Sequence, residues 1–197
     1  MRLPICVARV ARFAAIASLL MLTGCASTLT PRDASQIKFA DTRTVYEIAG
    51  RLSARHEAEA FAASFHWSHA GDRDELDFAS PLGQTVARLI GNPRGVELQT
   101  PDGKVETASD WTTLTSRGLG WALPVEGLAY WIQGAPRKDT PFTAEAGDDG
   151  APGVLRQDGW TIVYQAFTKD ASGVSRPARM TLDYPGIELR LVIDAWQ

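Results

Sequence analysis

The chain has 197 residues, a formal net charge of −3 at pH 7 and two cysteines. A chain of this length forms one domain that can bury a substantial hydrophobic core. Its acidic balance excludes the basic surface that is expected of a nucleic-acid-binding protein.

The first 24 residues are typical of a lipoprotein signal peptide. Three arginines precede an apolar run at 13–22, and residues 1–24 contain no acidic residue. That run is too short to span a bilayer, which needs about 20 residues, but it has the length of a signal-peptide core. It ends in Leu-Thr-Gly-Cys at 22–25, the lipobox pattern. We therefore expect cleavage before Cys25 and acylation of its thiol; an ordinary secretory peptide with a chance cysteine is the alternative.

This leader predicts the organisation of the rest of the chain. Acyl chains on Cys25 would form a stable anchor, because a single chain binds a membrane only marginally. We expect a signal peptide over 1–24, a Ser/Thr/Pro-containing tether over 25–33 and a single domain over 34–197. The mature chain keeps 17 basic and 23 acidic residues, a formal charge of −6, and Cys25 as its one cysteine. Ala26, rather than Asp, follows that cysteine, which favours the outer membrane of a Gram-negative bacterium, with the domain facing the periplasm.

The first half of the mature chain is predicted to be mostly strands. Apolar residues at helical spacing predict one amphipathic helix over 33–44. From Tyr46 onward the period is two, and turn signals such as Pro-Asp-Gly at 101–103 separate the short alternating runs. These runs predict an antiparallel meander with strands at 46–53, 61–68, 75–79, 85–90, 96–100 and 105–107.

The second half begins with helices and returns to strands. Asp110 is placed to cap a helix that runs to Arg117, and a further helix is predicted over 125–133, stopped by Gly134. Residues 135–153 are rich in Pro, Gly and Asp and predict loops around one strand near Phe142. The alternation then predicts strands at 160–164, 179–184 and 187–196.

The polar residues give no positive support for an enzyme or a metal site. His66 and His69 lie three apart in a predicted strand and its turn, so they point to opposite faces. Asp72, Asp74, Glu75 and Asp77 cluster near a turn, where a solvated acidic surface is the simpler interpretation than paired catalytic carboxylates or a calcium site. We assign no catalytic residue, no metal ligand and no cofactor.

Two apolar features remain to be explained. About ten strands with one apolar face each, covered by three short helices, predict a curved sheet around an apolar interior. That interior is either an open cavity or a core filled by the surplus of aromatic side chains. In addition, the Ser-Pro-Leu-Gly loop at 80–83 exposes Leu82 unless another part of the molecule covers it.

Six blocks of the sequence resemble the LolB family of outer-membrane lipoprotein receptors. The resemblance runs from about residue 48 to the C-terminus and is weak only over 137–153. The blocks are Phe-His-Trp at 65–67, Leu-Asp-Phe-Ala-Ser-Pro-Leu-Gly-Gln-Thr at 76–85, Gly-Trp-Ala-Leu-Pro-Val at 120–125, Tyr-Trp-Ile-Gln-Gly-Ala-Pro at 130–136, Asp-Gly-Trp-Thr-Ile-Val-Tyr at 158–164 and Leu-Arg-Leu-Val-Ile-Asp-Ala-Trp at 189–196.

The resemblance implies a fold and a task. The fold is α+β but mainly β: an incomplete antiparallel β-barrel of about eleven strands, with three short helices as a lid over an apolar cavity. The task is to accept lipoproteins from the periplasmic carrier LolA and to insert them into the inner leaflet of the outer membrane, without a cofactor. The alternative from the residues alone is a structural or assembly-accessory outer-membrane lipoprotein with a filled core.

The resemblance also implies roles for particular residues. Pro81, Leu82 and Gly83 match the loop that the family uses at the membrane. The implied partners are a LolA-like carrier, acylated lipoprotein cargo and outer-membrane phospholipid, and a monomer suffices for the task. The side chains expected to line the acyl-chain cavity are Phe65, Trp67, Leu76, Phe78, Ala87, Leu89, Trp121, Leu128, Ile132, Ile162, Tyr164 and Leu191.

Overall fold

A single antiparallel sheet makes up most of the protein in this computed structural model, which describes residues 37–138 and 140–197. Within those residues the sheet has eleven strands in the order β6-β5-β4-β3-β2-β1-β11-β10-β9-β8-β7, so β6 and β7 are its open edges. The predicted class, a mainly β fold with an incomplete antiparallel barrel of about eleven strands, is confirmed. The strands are β1 (Val45–His56), β2 (Glu59–Ala70), β3 (Arg73–Ala79), β4 (Thr85–Asn92), β5 (Gly95–Gln99), β6 (Val105–Ala108), β7 (Phe142–Ala146), β8 (Pro152–Gln157), β9 (Trp160–Lys169), β10 (Ser175–Tyr184) and β11 (Ile187–Trp196).

The alternation of residue types sets which face of each strand is buried. In β1, Ile48 and Leu52 are buried whereas Arg51 between them is exposed. Leu52 lies opposite Leu191 of β11, so the inward residues of neighbouring strands stack on one face. At Gly50 the register shifts, and a Cβ there would meet the carbonyl oxygen of Val192 at 2.1 Å. Glycine thus permits the close approach of two strands at an irregularity of the sheet.

Two α-helices cover the buried face. Helix α1 (Trp111–Leu119) begins where the Asp110 carboxylate accepts a 2.7 Å hydrogen bond from the Thr113 amide, as predicted. It ends at Gly120, whose φ of 79° is left-handed. Helix α2 (Val125–Trp131) is two residues shorter than its predicted range of 125–133.

The prediction of three helices is wrong within the described residues. Over 37–44, the described part of the predicted helix at 33–44, the chain has no helical segment. Its backbone bonds to distant groups instead: the Lys38 amide donates to the Gly150 carbonyl at 2.9 Å, and the Arg43 amide donates to Gln133 Oε1 at 2.7 Å. Tertiary hydrogen bonds therefore replace the local bonds of a helix. Besides α1 and α2, the one other helical element within the described residues is a 3-10 turn at Asp148–Gly150.

The region predicted as loops contains one more strand than expected. Residues 135–153 were expected to hold one strand near Phe142, and β7 is there, but β8 begins at Pro152 and pairs with it. Pro152 and Gly153 at its start concealed the strand from propensity. The buried alternate positions Leu155 and Gln157 identify its inward face.

The antiparallel strands run between two opposite ends of the sheet, which we call the Val45 end and the Leu82 end. The Val45 end contains the start of β1 and the connections at 71–72, 93–94 and 170–174. The Leu82 end contains the connections at 57–58, 80–84, 100–104, 158–159 and 185–186. Among the helices of the described chain, none is long and apolar enough to cross a membrane.

Candidate lipid-binding interior

The buried face of the sheet and the two helices enclose one apolar interior. Tyr46 of β1 donates from its hydroxyl to the Ala129 carbonyl in α2 at 3.4 Å, and Tyr164 of β9 donates to the Trp131 carbonyl at 3.0 Å. In the other half of the same sheet, Trp111 of α1 lies against Gly91 of β4. Both helices therefore lie over the same face, between strands that are far apart in the sheet order.

All twelve residues that the resemblance assigns to the cavity lie in this interior. Eleven are buried members of a single apolar cluster, and Ala87 is partly buried against it. Three strands of one half of the sheet supply six of them, and the others come from α2, the residue after it, the segment between the helices, β9 and β11. Their placement is Phe65 and Trp67 in β2, Leu76 and Phe78 in β3, Ala87 and Leu89 in β4, Trp121 between the helices, Leu128 in α2, Ile132 directly after it, Ile162 and Tyr164 in β9, and Leu191 in β11.

Side chains fill most of this interior, and two pockets remain. One pocket, of about 130 Å³, is apolar and lies at the Leu82 end between β1–β5 and Trp121. The other, of about 340 Å³, lies between the helices and the β8–β11 region. Sites for small organic ligands usually measure about 300–1,000 Å³. The interior therefore has to expand before it can hold several acyl chains.

The predicted residues divide between pocket wall and packed core. Four of them, Phe78, Ala87, Leu89 and Trp121, line the 130 Å³ pocket. None of the twelve lines the 340 Å³ pocket. The other eight are buried and line neither of these two pockets; Ile162, for example, has no exposed surface.

Sequence reasoning missed several residues that line the two pockets. Leu98 of β5 lies between Glu97 and Gln99, so the alternation of polar and apolar residues could have placed it on the inward face beside Leu89. Leu123 lines both pockets from the segment between the helices, where no periodicity marks it. Further lining residues are Leu52, Phe61 and Val86 of the smaller pocket and Trp111, Trp131, Trp160 and Ile187 of the larger one.

Hydrogen bonds inside this apolar region fasten the helices. Burial raises the pKa of the Tyr46 and Tyr164 hydroxyls far above the ordinary range, so both remain neutral donors to α2. Trp131 Nε1 donates to Gln157 Oε1 in β8 at 2.8 Å. Thr115 Oγ1 of α1 accepts from the Leu123 amide at 2.9 Å, which ties the segment between the helices to α1.

The largest concavity lies on the opposite, outer face of the sheet. It has a volume of about 870 Å³, is open to solvent, and crosses β2, β1, β11, β10 and β9. Charged side chains such as Arg51, Arg190 and Glu188 line it together with serine, threonine and apolar residues that include the predicted cavity residue Leu191. Because this concavity is open to solvent and contains charged groups, the smaller interior pockets are the better candidate lipid sites.

The loop at residues 80–84 holds Leu82 away from the rest of the protein. The Ser80 amide donates to the Gln84 carbonyl at 2.7 Å, and the Gly83 amide donates to the Ser80 carbonyl at 2.8 Å. Gly83 has a φ of 82°, which this tight loop requires and which other residues rarely adopt. Pro81 is exposed beside Leu82, and Leu82 has 89% of its surface exposed.

The other candidate groups are engaged in ordinary contacts. His66 lies near Glu47 on the outer face, whereas His69 Nδ1 is 2.7 Å from Asp74 Oδ1. Glu75 forms ion pairs with Arg73 and Arg88. Within 37–138 and 140–197, no three His, Cys, Asp or Glu side chains are grouped as a metal site. The predicted acylation site Cys25, the predicted signal peptide over 1–24 and the predicted tether over 25–33 lie outside the described residues.

The open antiparallel sheet with helices over an apolar face is a class that several solved structures share. One is a LolA superfamily protein from Nitrosomonas europaea, with a TM-score of 0.51, 12% identity, and coverage of 83% of this chain and 89% of that one. A second is a DUF1329 family protein from Desulfovibrio piger, with a TM-score of 0.55, 10% identity, and coverage of 80% and 86%. These likenesses concern the fold alone.

Sequence comparison places the chain in a particular family within this class. The profile of outer membrane lipoprotein LolB matches residues 44–196. The outer-membrane lipoprotein LolB of Thiobacillus denitrificans is 42% identical over 188 residues, which cover 94% of this chain and 97% of that protein. The one of Chromobacterium violaceum is 35% identical, covering 90% and 94%. The chain therefore belongs to the outer-membrane lipoprotein LolB family, and its predicted localisation at the outer membrane of a Gram-negative bacterium is confirmed.

Proposed function

We propose that this protein accepts lipoproteins from a LolA-like periplasmic carrier and inserts them into the inner leaflet of the outer membrane. The observation that carries the proposal is the apolar interior between one sheet face and two helices, with an exposed leucine at the adjoining end of the strands. An apolar interior suits acyl chains because each methylene transferred from water contributes about 0.8 kcal/mol. The proposal includes no catalytic step, cofactor or nucleotide.

The route of the cargo follows from differences in affinity. Without fuel, each transfer must run downhill, so the interior has to bind acyl chains more favourably than the carrier does. Release then requires that insertion into the bilayer be more favourable still. Acyl chains on Cys25 would keep the protein at the membrane that receives the cargo, in contact with its phospholipid. A monomer is sufficient for all of these steps.

The interior would open by displacement of its helical cover. The two pockets of about 130 and 340 Å³ share Leu123, in the segment between α1 and α2. Outward movement of that segment would join them into one site. The tyrosine hydroxyls that bind α2 are neutral and each makes one hydrogen bond to it, so opening breaks bonds that contribute only about 0.5–1.5 kcal/mol each.

Lipid binding by the soluble form is the direct test. A mature chain with Cys25→Ala should be soluble and should bind a synthetic triacylated lipopeptide, detected as a complex by native mass spectrometry. The same peptide without acyl chains is the control and should not bind. Failure of the folded protein to bind the acylated peptide would overturn the proposal.

The packed state of the interior favours a second candidate function. A structural or assembly-accessory lipoprotein would need a filled core, and Ile132, Ile162 and Met180 have no exposed surface. Under this alternative, the lipopeptide leaves the thermal unfolding of the Cys25→Ala form unchanged. Under the carrier function, saturating lipopeptide raises Tm, because a ligand that binds only the native state stabilises it.

The Leu82 loop should be needed to insert lipoproteins into the membrane but not to accept them from the carrier. We expect Leu82→Glu to fold and to accept lipoprotein from the carrier, but to deliver it poorly, because a charged side chain there opposes contact with the bilayer interior. Lipoprotein acceptance and incorporation into vesicles are measured separately. A loss of stability of several kcal/mol would show that Leu82 belongs to the core, and delivery equal to wild type would also contradict the assignment.

A further inference from the structure

Exposed apolar side chains are concentrated at one end of the strands. The described chain exposes seven large hydrophobic residues. Two of them, Val45 and Val174, lie at the Val45 end. The other five lie at the Leu82 end and are Phe61, Leu82, Val105, Phe142 and Tyr184.

The sheet topology brings these five residues to the same end from different strands. Phe61 is near the start of β2, Val105 begins β6, Phe142 begins β7 and Tyr184 ends β10. Antiparallel pairing places these starts and ends together, although the residues span most of the chain. We call the set of Phe61, Leu82, Val105, Phe142 and Tyr184 the apolar rim.

Ring contacts hold the aromatic members of the apolar rim in position, and Phe142 meets the half-buried Phe39 edge-on with centroids 5.6 Å apart. The Tyr184 ring stacks on Trp160 with centroids 5.1 Å apart. The Phe61 ring meets Phe78 edge-on at 6.5 Å. Each ring thus has one side fixed against the protein and another side facing outward. Such fixed rings lose little conformational freedom when they enter another apolar environment.

The apolar rim is continuous with the interior. Phe61 lines the pocket of about 130 Å³, and Tyr184 lines the pocket of about 340 Å³. Both pockets therefore reach the surface at the end where the apolar rim lies. An acyl chain that leaves either pocket beside a bilayer would pass from one apolar surface to the next with little contact with water.

The arrangement fits a fluid bilayer better than a protein surface. The rim residues do not form one contiguous apolar patch, because charged residues of both signs, including Glu59, Asp102 and Lys104, separate them. Lipid headgroups tolerate such charges while apolar and aromatic side chains enter between them. A rigid partner would need a matching pocket for each of five separate side chains.

We propose that the apolar rim is a bilayer-docking surface, on which the protein stands with the Leu82 end against the membrane. This inference rests on the proposed function for its purpose and extends the membrane contact from the Leu82 loop to four strand ends beside it. Docking by the rim seals the pocket openings against the leaflet that receives the cargo.

Single-cysteine labelling tests the proposal by reporting the polarity around each rim position in the presence of a membrane. The mature chain with Cys25→Ala has no other cysteine, so an environment-sensitive fluorophore can be attached at one site at a time. Rim sites are tested with Phe61→Cys, Leu82→Cys, Val105→Cys, Phe142→Cys and Tyr184→Cys. Val45→Cys and Val174→Cys are matched controls from exposed apolar positions at the other end.

The probe surface is a vesicle of phosphatidylethanolamine with phosphatidylglycerol, compared with phosphatidylcholine alone. We expect a blue shift at all five rim sites, quenched by lipids with brominated chains, and no shift at the two control sites. Because the rim acts through apolar contact, its vesicle binding should change little with salt. A response at Leu82→Cys alone, or an equal response at the control sites, would overturn the proposal.

Substitution gives a second, independent measurement. The pair Val105→Ser and Phe142→Ser should lower the vesicle partition coefficient about tenfold, since burial of one whole Val or Phe side chain changes transfer equilibria by about ten- to hundredfold. Val45→Ser should not change it. Vesicle binding equal to wild type with impaired acceptance from the carrier would identify the rim as a protein-docking surface and overturn the inference, as would rim-dependent dimers in sedimentation.

Failure of this inference can be told apart from failure of the proposed function. Lipopeptide binding is measured on the same Cys25→Ala background. Lipopeptide binding with silent rim labels contradicts only the docking surface. Rim labels that respond in a protein that binds no lipopeptide support the docking surface and contradict only the cargo-carrying function.

Discussion

The two ends of the sheet use their side chains in opposite ways. At the Val45 end, the buried Asp170 carboxylate accepts hydrogen bonds from Ser172, Arg176 and Arg43. Gln133, at the end of α2, also bonds to both backbone polar groups of Arg43. At the Leu82 end, the apolar rim is exposed. The first end fixes the chain where it joins the sheet, and the second leaves apolar groups available for contact.

The same contrast applies along helix α2. Its last turn lies at the Val45 end, where Gln133 ties it to Arg43. Its first turn lies at the Leu82 end, and Val125 and Glu126 there line the pocket of about 340 Å³. We expect α2 to open at the pocket end, where the Trp131–Gln157 hydrogen bond and the Glu126–Arg137 ion pair would have to break. The lid would then open toward the apolar rim.

The largest expected effect is on the polar network at the Val45 end. Arg176 is almost fully buried, and its Nη1 donates to the Asp41 carbonyl at 2.8 Å. Arg176→Met should lower the free energy of unfolding by about 3–5 kcal/mol, because it leaves the carboxylate of Asp170 buried without its nearest buried cation. Urea denaturation measures this. Arg51→Met, at the exposed pair with Asp194, is the control and should be nearly neutral; equal small effects would contradict the distinction.

The pH dependence of stability reports the same network. Hydrogen bonds, first from the Ser172 hydroxyl and then from Arg176, hold the pKa of Asp170 well below its usual range. A depressed native pKa gives stability that is complete above the unfolded-state pKa of about 3.9 and is lost as pH falls through the native value. Wild type should therefore lose more stability below about pH 4 than Asp170→Asn. Identical acid profiles in thermal melts would contradict this.

The sequence predicted the features that local residue patterns determine, and it failed where contacts between distant residues determine the structure. Alternation identified the inward residues of β1 and β11, and Asp110 marked the start of α1, because burial and capping are local. The helix expected over 33–44 is wrong at 37–44, since bonds to Gln133 and Gly150 lie far along the chain.

The interior and the rim show a different limit. Periodicity tells which face of a strand is apolar, so it places Phe78 and Leu89 on the inward face, whereas their assignment to the candidate site comes from the family resemblance. It cannot tell whether the facing side chains leave a pocket or fill it, because that depends on packing between distant strands. Leu82 was singled out because a turn exposes it. Val105 and Tyr184 are exposed at the same end only through the antiparallel pairing, which no local pattern shows.

A smaller effect is expected from loosening α2 at its fixed end. Gln133 is buried, and its side chain accepts from the Arg43 amide at 2.7 Å and donates to the Arg43 carbonyl at 3.2 Å. Gln133→Leu should cost about 1–3 kcal/mol, because it leaves buried backbone groups without partners. Hydrogen exchange should accelerate at the last turn of α2 and at Arg43, with little change at α1. Acceleration confined to the first turn of α2 would contradict the assignment of the fixed end.

The smallest expected effect concerns the pocket at the Leu82 end. Ala87→Phe places a ring into the pocket of about 130 Å³ that Ala87 lines. The ring occupies space that an acyl chain would fill, so lipopeptide affinity in the Cys25→Ala background should fall about tenfold, which corresponds to about 1.4 kcal/mol. Ala144→Phe is the control, because Ala144 is packed against the core from β7 and lines neither interior pocket. If both variants bind the lipopeptide as wild type does, the acyl chains use the larger pocket, and opening at the Leu82 end must involve α2 rather than the β3–β5 side.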